Sequence, residues 1–307
     1  MKKYSFLFAI LFSTVFYAQE VSRERVVNVL SALASDEMKG REIGTPANDS
    51  AAVYIANRFK ENNLSYCIGN SYLVPFEYKG KIAYNVCGLK KGKSEKTLAY
   101  SAHFDHIGSN NKSGDNVFNG ADDNASGVTL MVGLADYFKN TEPDFSMMYI
   151  AFNGEEKGMK GSKAIAEIQD LQPMYKNINA LFNFEMVATV SQFGKNALYM
   201  TGNEFSDLAE LFNAKAENQL KIYPDPYIGQ QLFYRSDNVS FVKKKVIAHS
   251  FSTVDMNTAK HYHQLNDDLS VVNFDNLTQI INSFGKTIQK LTPANFTPKY
   301  NDKVNLN

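Results

Sequence analysis

Strand-like and helix-like segments alternate along the middle of this 307-residue chain, and the alternation predicts an α/β fold. Apolar stretches at 97–102, 145–152 and 178–184 have the length of buried strands. Segments with apolar residues at helical spacing lie between them, at 127–140 and 161–168. We therefore expect a three-layer α/β/α fold with a central mixed, mostly parallel sheet and helices on both faces.

Segments on either side of this core extend the prediction to one domain spanning 19–307. An amphipathic helix is expected over 48–62, and a short strand over 83–87. The stretch 274–291 has the pattern of a closing helix. The last residues, 292–307, are rich in Pro, Asn and Lys, which predicts a loose tail.

Residues 1–18 have the layout of a secretory signal peptide. Lys2 and Lys3 form a basic start, an apolar run covers 6–16, and the sequence turns polar after Ala18. A membrane anchor is the less favoured alternative, because this run is shorter than the ~20 residues that span a bilayer. We expect export to the periplasm or the medium.

Composition narrows the function classes further. The 32 Lys and Arg residues balance 32 Asp and Glu residues, which argues against nucleic acid as a partner. The motif G-x-S-x-G of serine hydrolases is absent. The two cysteines, Cys67 and Cys87, could form a disulfide in an exported chain, and a small buried thiol would also fit at Cys87.

Three predicted strands run directly into potential metal ligands. The first leads into His103, the second into Glu155-Glu156, and the third into Glu185. Because the carboxyl ends of parallel strands gather at one edge of a sheet, we expect these side chains to converge there. Two adjacent glutamates at the end of an apolar strand repel each other unless a cation or a proton offsets their charge.

Two further segments carry candidate ligands. Gly120-Ala-Asp-Asp-Asn-Ala-Ser-Gly127 precedes a helix, and its two aspartates exceed what helix capping requires. A polar loop at 260–268 holds His261 and His263. Each motif taken alone also fits an ordinary structural or surface role.

Taken together, these motifs resemble the bacterial leucyl aminopeptidase and glutamate carboxypeptidase II group of di-zinc exopeptidases. The resemblance begins with Gly40-Arg-Glu-Ile-Gly-Thr45 and continues through His103-Phe-Asp105, the D-D-N-A-S-G segment and Glu155-Glu156. Phe184-Glu-Met186 and Tyr262-His263 with Asp267 follow in the family's order.

The resemblance implies a role for each matched residue and a zinc-exopeptidase-like fold. It implies that His103 and Glu185 hold one metal and that Glu156 and His263 hold the other. Asp123 would bridge the two ions, and the peptide bond between Asp123 and Asn124 would be cis. The implied metal set is therefore His103, Asp123, Glu156, Glu185 and His263.

The resemblance also implies the catalytic groups and the cofactor. Glu155 would be the general base, and Asp105 would orient His103. Two Zn²⁺ ions per chain are expected, with Mn²⁺ or Co²⁺ as alternatives. The substrates would be peptides with a free N-terminus.

Two departures from the family pattern stand out. Glu185 occupies a position that is usually Asp. Asn238 replaces the histidine of an S-D-H-x-x-F motif in Ser236-Asp-Asn-Val-Ser-Phe241, which puts a substrate contact in doubt.

An exported metal-dependent aminopeptidase is the favoured function. The alternatives are a related carboxypeptidase or dipeptidase, for which Arg235 would bind the substrate carboxylate, a glutaminyl cyclase-like transferase, and an inactive binding module. The sequence indicates neither the side-chain preference nor the oligomeric state.

Overall fold

The structure is a computed structural model that describes residues 20–110, 113–216 and 219–304. The predicted signal peptide therefore lies outside the described residues. Within the described ranges the chain forms nine strands and eight α-helices. The strands are β1 (Ser65–Tyr66), β2 (Leu73–Tyr78), β3 (Lys81–Lys90), β4 (Ser94–His103), β5 (Phe145–Phe152), β6 (Ile178–Phe184), β7 (Ala197–Met200), β8 (Lys221–Pro224) and β9 (Ala248–Ser252). The helices are α1 (Arg23–Leu33), α2 (Pro46–Glu61), α3 (Gly127–Phe138), α4 (Lys160–Ala166), α5 (Gln172–Tyr175), α6 (Leu208–Ala216), α7 (Asn238–Val242) and α8 (Phe274–Ile288).

All nine strands belong to one mixed sheet. Its order is β1-β3-β5-β4-β6-β9-β7-β8, and β2 pairs with β3. The four central strands β5, β4, β6 and β9 are parallel, whereas β3 and β7 join them antiparallel on either side. This architecture confirms the predicted mixed, mostly parallel central sheet.

The side chains of the central strands alternate between two cores, as the period of two along a strand requires. In β5, Met147 and Tyr149 contribute to the larger core, and Met148 and Ile150 to the smaller one. The larger core is closed by α1, α2, α3, α6 and α8, and the smaller one by α4, α5 and α7. Strands buried on both faces read as continuous apolar runs, which is why their positions could be predicted.

The C-terminal segment differs from its prediction. Residues 292–304 are packed against the domain, so the expected loose tail is wrong for that stretch. Phe296 is fully buried against Phe145 and Phe182, and the Tyr300 hydroxyl accepts a hydrogen bond from the Ala248 N–H. A single buried phenylalanine outweighs the polar composition around it.

The structure also answers two questions about the cysteines and about membrane-crossing helices. Cys67 and Cys87 form a disulfide between β1 and β3, with their Cα atoms 5.6 Å apart. The alternative of a buried free thiol is therefore wrong. Across the described ranges, no helix combines the length and the apolar character that a membrane crossing requires.

Candidate metal centre

His103 lies at the carboxyl end of β4 and is almost completely buried. Its Nδ1 lies 3.0 Å from the carbonyl oxygen of Asp105, so Nδ1 carries the proton and donates it. Nε2 then faces two carboxylates, 3.1 Å from Glu185 Oε1 and 3.4 Å from Asp123 Oδ1. Only a proton on Nε2 or a metal cation in its place relieves the repulsion there.

The turn before α3 carries Asp123 into the centre. The peptide bond between Asp123 and Asn124 is cis, as the family resemblance implied. The Asn124 side chain anchors the turn to the end of β6, donating to the Phe184 carbonyl at 2.8 Å and accepting from the Met186 N–H at 3.1 Å. An added Cβ on Gly127 would lie 2.5 Å from the Phe184 carbonyl oxygen, which explains the glycine at this position.

Asp122 and Asp123 are neighbours with different partners. Asp122 turns away from the centre, where its Oδ2 lies 2.8 Å from His261 Nε2 and its Oδ1 accepts the Ala188 N–H at 2.8 Å. Asp267 holds the backbone of both aspartates, accepting the Asp122 N–H at 2.7 Å and the Asp123 N–H at 3.0 Å. These bonds leave the Asp123 carboxylate to face the histidines.

Glu155 and Glu156 follow β5 and are held by Asp105. One carboxylate oxygen of Asp105 accepts the Glu155 N–H at 3.0 Å, and the other accepts the Glu156 N–H at 3.3 Å. The Asp105 carboxylate lies 3.7 Å from His103 Nδ1, beyond hydrogen-bond distance. Asp105 therefore contacts His103 through its backbone carbonyl, while its side chain orients the two glutamates.

Glu185 follows β6, and its carboxylate is shared between two neighbours. Oε1 faces His103, whereas Oε2 accepts a hydrogen bond from the Ser236 hydroxyl at 2.8 Å. Asn238, at the position where the family resemblance places a histidine, is fully buried. It donates to the Phe233 carbonyl at 3.0 Å and accepts from the Ser250 hydroxyl at 3.0 Å, so its side chain is bonded within the protein interior.

His263 completes the cluster from the loop before α8. Its Nε2 lies 3.0 Å from Glu156 Oε2 and 3.2 Å from Asp123 Oδ2. Within the described part of the chain, neither His263 Nε2 nor Asp123 Oδ2 has a hydrogen-bond partner, although both are buried. Two unpartnered buried ligand atoms that face each other are the arrangement a bound cation would satisfy.

The ligand atoms form two groups that share Asp123. One group comprises His103, Asp123 and Glu185, and the other comprises His106, Asp123, Glu156 and His263. The potential ligand atoms within each group lie within 4.8 Å of one another. Carboxylate oxygens and imidazole nitrogens are the donors that Zn²⁺ takes in catalytic sites, so the residues present fit two metal ions.

The pKa shifts reflect the concentrated negative charge. Asp123 and Glu156 raise the pKa of His263 to about 10. Burial lowers the pKa of His103, but the carboxylate of Glu185 and those beside it raise it overall, well above the usual value. The surroundings of each imidazole thus favour its protonated, positively charged form. A metal ion bound at the ring nitrogen would supply that positive charge in place of the proton.

Among the described residues, Glu155 forms no ion pair with a histidine, whereas Asp123, Glu156 and Glu185 each do. Burial raises the pKa of Glu155 well above its usual value, and the nearby carboxylates of Asp237, Glu185 and Glu156 add to that effect against His103. Asp237 is also fully buried, and neither of its oxygens has a hydrogen-bond partner in the described ranges. Burial raises the pKa of Asp237 to about 7.

A cleft opens onto this centre. The predicted site residues that line it are His103, Asp123, Glu155, Glu156, Glu185 and His263. One wall is apolar and is formed by Met186, Tyr199, Leu232, Val254 and Met256. Arg235 lies on the lining, exposed to solvent, and Tyr262 stacks on His263 with ring centroids 4.0 Å apart.

The structure brings together all five predicted metal ligands and Glu155, and it adds two residues to which the sequence motifs assign no role. His106 is buried beside Glu156. The other is Arg41.

Arg41 is fully buried and donates to the carbonyl oxygens of Leu33, Phe104, Asn119 and Gly120 at 2.6–2.9 Å. Burial lowers the pKa of Arg41 to about 10, so it stays charged at neutral pH. The position of Arg41 in the G-R-x-x-G-T motif is the sequence signal from which a role near the site could have been predicted.

The fold and the ligand chemistry together place the chain among the metallopeptidases. The sequence profile described as Peptidase family M28 matches residues 85–288, more than half of the chain. The chain belongs to that family.

Curated relatives match over shorter stretches. The alkaline phosphatase isozyme conversion protein of Escherichia coli is 29% identical over 138 residues, 40% of this chain and 40% of that protein. The aminopeptidase YwaD of Bacillus subtilis is 29% identical over 116 residues, 36% of this chain and 23% of that protein. The matched region thus spans less than half the length of these relatives.

Solved structures share the fold over nearly the whole chain. A glutaminyl cyclase of Bacteroides thetaiotaomicron, bound to N-acetylhistamine, aligns with a TM-score of 0.70 at 16% identity, covering 90% of this chain and 100% of that one. The zinc aminopeptidase BSAP of Bacillus subtilis gives 0.68 at 17% identity, with 90% and 98% covered. A leucine aminopeptidase precursor of Bacteroides thetaiotaomicron gives 0.69 at 15%, with 91% and 100% covered. At these identities the likeness shows the fold alone.

Proposed function

We propose that the protein is an exported zinc aminopeptidase that removes residues from the free N-termini of peptides. The observation that carries the proposal is the arrangement around Asp123. His103 and Glu185 lie on one side of it, Glu156 and His263 lie on the other, and Glu155 lines the same cleft.

The five ligands would hold two zinc ions. His103 and Glu185 would bind one ion, Glu156 and His263 the other, and Asp123 would bridge them. When bound, the ions would polarise the scissile carbonyl and acidify the attacking water. Asp105 contributes by fixing the backbone on which both glutamates lie.

Glu155 is the proposed general base. Its side chain lies in the cleft, and its environment raises its affinity for a proton. It takes the proton from the water that attacks the scissile carbonyl, and it returns that proton to the amine of the leaving peptide. A base whose pKa lies above the usual carboxylate range serves both transfers near neutral pH.

The side chains of the cleft give little support to a substrate that binds by its carboxylate. Asp123, Glu155, Glu156 and Glu185 line it, and Arg235 is the one Lys or Arg among its described lining residues. Two bound zinc ions would offset the charge of the three ligand carboxylates, so Glu155 would be left to attract a substrate amine, and Arg235 alone among the described lining side chains would attract a substrate carboxylate.

Metal content and a substrate panel test the proposal. We expect two zinc ions per chain by elemental analysis, and a chelator should remove them together with the activity. Aminoacyl-anilides should be hydrolysed, and their N-acetylated counterparts should not. Fewer than two ions in fully active protein would overturn the di-metal assignment. Hydrolysis of N-blocked peptides from the carboxyl end, lost in Arg235→Met, would indicate the carboxypeptidase alternative.

A glutaminyl cyclase-like transferase is the second candidate, because the fold is shared with solved glutaminyl cyclases over about nine tenths of the chain. Peptides that begin with glutamine separate the two functions. Hydrolysis consumes water and releases free glutamine. Cyclisation instead releases ammonia and leaves the whole peptide with a pyroglutamyl ring at its N-terminus. Mass spectrometry of the products in ¹⁸O-labelled water distinguishes them directly.

Export of the protein is part of the proposal. The disulfide between Cys67 and Cys87 supports it, because such bonds persist in oxidising compartments outside the cytosol. Detection of the mature chain in a periplasmic or culture fraction, beginning near residue 19, is the expected result of N-terminal sequencing.

A further inference from the structure

We propose that His106 is a positioning residue that holds the Glu156 carboxylate from behind the second metal site without being a ligand itself. The inference rests on the proposed di-metal function and adds a residue to it. His106 lies one residue beyond the H-x-D motif, whose pattern assigns no role to it.

The two oxygens of Glu156 point to different imidazoles. Oε1 lies 2.9 Å from His106 Nδ1, and Oε2 lies 3.0 Å from His263 Nε2. His106 is fully buried and is not among the described residues that line the cleft, whereas Glu156 and His263 are. The Glu156 carboxylate therefore lies between the buried His106 and the cleft-lining His263.

Hydrogen bonding decides between a ligand and a positioning residue. A carboxylate only accepts hydrogen bonds, so a bond between Glu156 Oε1 and His106 Nδ1 places the proton on Nδ1. A protonated ring nitrogen has no lone pair to offer a cation. The unpartnered atoms Asp123 Oδ2 and His263 Nε2 face each other at 3.2 Å, and His106 Nδ1 lies farther off, 3.8 Å from Asp123 Oδ2. His106 Nε2, the ring nitrogen turned away from Glu156, is also buried without a hydrogen-bond partner in the described ranges.

The same short segment also fixes the backbone of Glu156. Asp105 accepts the Glu156 N–H, and the next residue, His106, holds the side chain. Glu156 is thus restrained at both ends by residues that follow β4. The restraint reduces the conformational freedom that metal binding would otherwise remove, and it directs Oε2 towards His263 and Asp123.

Two substitutions separate the donor from the bulk of the ring. His106→Asn keeps an N–H group near the position of Nδ1, and His106→Leu fills similar space without a donor. We expect His106→Leu to bind one of its two zinc ions about 10–100-fold more weakly, the usual effect of losing a group that supports a metal ligand. His106→Asn should stay within a few-fold of the natural protein. His106→Gln, whose amide reaches too far, should behave like His106→Leu and replaces it if the leucine variant fails to fold.

The measurements are zinc affinity, by competition with a chromophoric chelator, and the absorption spectrum of the Co²⁺-loaded protein. His249→Leu is the matched control, because it also removes a buried imidazole, one bonded to Ser206 and Thr201 and to none of the predicted ligands. That variant should lose stability and keep both affinities.

Each outcome has a distinct meaning. If His106→Asn and His106→Leu both lose one ion and both shift the Co²⁺ spectrum, His106 is a ligand and the inference is overturned. If His106→Leu and His106→Gln bind both ions like the natural protein, the ring only fills space and the inference is equally overturned. If the natural protein itself binds no zinc, the proposed function fails instead.

Discussion

At the scale of single residues, adjacent acids in this centre have unlike environments. Asp122 is bound to His261 and Ala188, while Asp123 faces the two ligand histidines. Burial and the Asp123 carboxylate oppose the shift, but the adjacent imidazoles of His106 and His263 lower the pKa of Glu156 overall. Burial and nearby carboxylates raise the pKa of Glu155. Position in the turn therefore sets the role of each carboxylate.

The first prediction compares Glu155→Gln with Glu156→Gln. Glu155→Gln removes the proton acceptor and keeps the shape, so zinc content should stay at the natural level while turnover falls by ~10²–10⁴-fold. Glu156→Gln exchanges a charged ligand for a neutral amide, so zinc affinity should fall and excess zinc should partly restore activity. Elemental analysis and steady-state kinetics of the two purified variants provide the test. The roles are exchanged if Glu156→Gln keeps both ions and loses only turnover.

The second prediction concerns stability at acid pH. Burial lowers the pKa of His249 from 6.5 to about 4 in the folded protein. Because the unfolded chain binds this proton first, the contribution of His249 to stability is complete above pH 6.5 and is lost as the pH falls towards 4. At about 1.4 kcal/mol per pKa unit, the loss is on the order of 3 kcal/mol. Urea unfolding of EDTA-treated protein should show this slope, and His249→Gln should flatten it. Parallel slopes would contradict the assignment.

At the scale of elements, one buried side chain braces the connection between β4 and α3, which follows His103 and carries Asp123. Arg41 donates to carbonyls near the start of that connection, at Phe104, and farther along it, at Asn119 and Gly120. The chain reaches this point through Gly40, where an added Cβ would lie 2.1 Å from the Gly108 carbonyl oxygen. The positions of His103 and Asp123 thus depend on a residue in a different part of the sequence.

The third prediction is that Arg41→Lys is not a conservative change. A lysine ammonium cannot reach four carbonyl groups spread over three segments, so buried acceptors lose their donors. We expect a loss of about 3 kcal/mol in the free energy of unfolding and a weaker affinity for zinc. Arg23→Lys is the control, since Arg23 forms an exposed ion pair with Asp275 and should change stability by less than ~0.5 kcal/mol. Equal effects of the two substitutions would exclude the bracing role.

The strands that lead into the ligands could be predicted from the sequence. The short strands of the sheet and the side chains that hold the ligand segments in place could not. Strands β4, β5 and β6 each contain a buried, largely apolar stretch that leads into a predicted ligand. Strands β1, β7 and β8 have only two to four residues, too few for a periodic pattern. The contacts of Arg41 with Phe104 and of His106 with Glu156 join residues 63 and 50 positions apart, and no local pattern encodes them.

At the scale of the whole molecule, the disulfide joins Cys67, which follows the edge strand β1, to Cys87 in β3. It closes a loop between residues separated by 20 positions, and Cys67 and Cys87 are absent from the cleft lining described above. The bond therefore restricts the unfolded chain more than it shapes the centre.

The fourth prediction follows from that placement. The double substitution of Cys67 and Cys87 by serine should lower the free energy of unfolding by about 2–4 kcal/mol. Zinc content and kcat/KM at moderate temperature should stay at their natural values. Thermal unfolding, elemental analysis and kinetics on one preparation make the comparison. Loss of zinc from a folded double variant would contradict it.

Both ends of the described chain are tied into the core, and this affects the order of events during synthesis. The Asn282 side chain bonds to the backbone of Val21 near one end, and Phe296 fills the core near the other. All five ligands leave the ribosome before Phe296 does, because His263 is the last of them. A nascent chain thus exposes a full set of zinc-binding side chains before Phe296 can take its place in the core. Metal acquired at that stage would bind before the packing around the finished centre is complete.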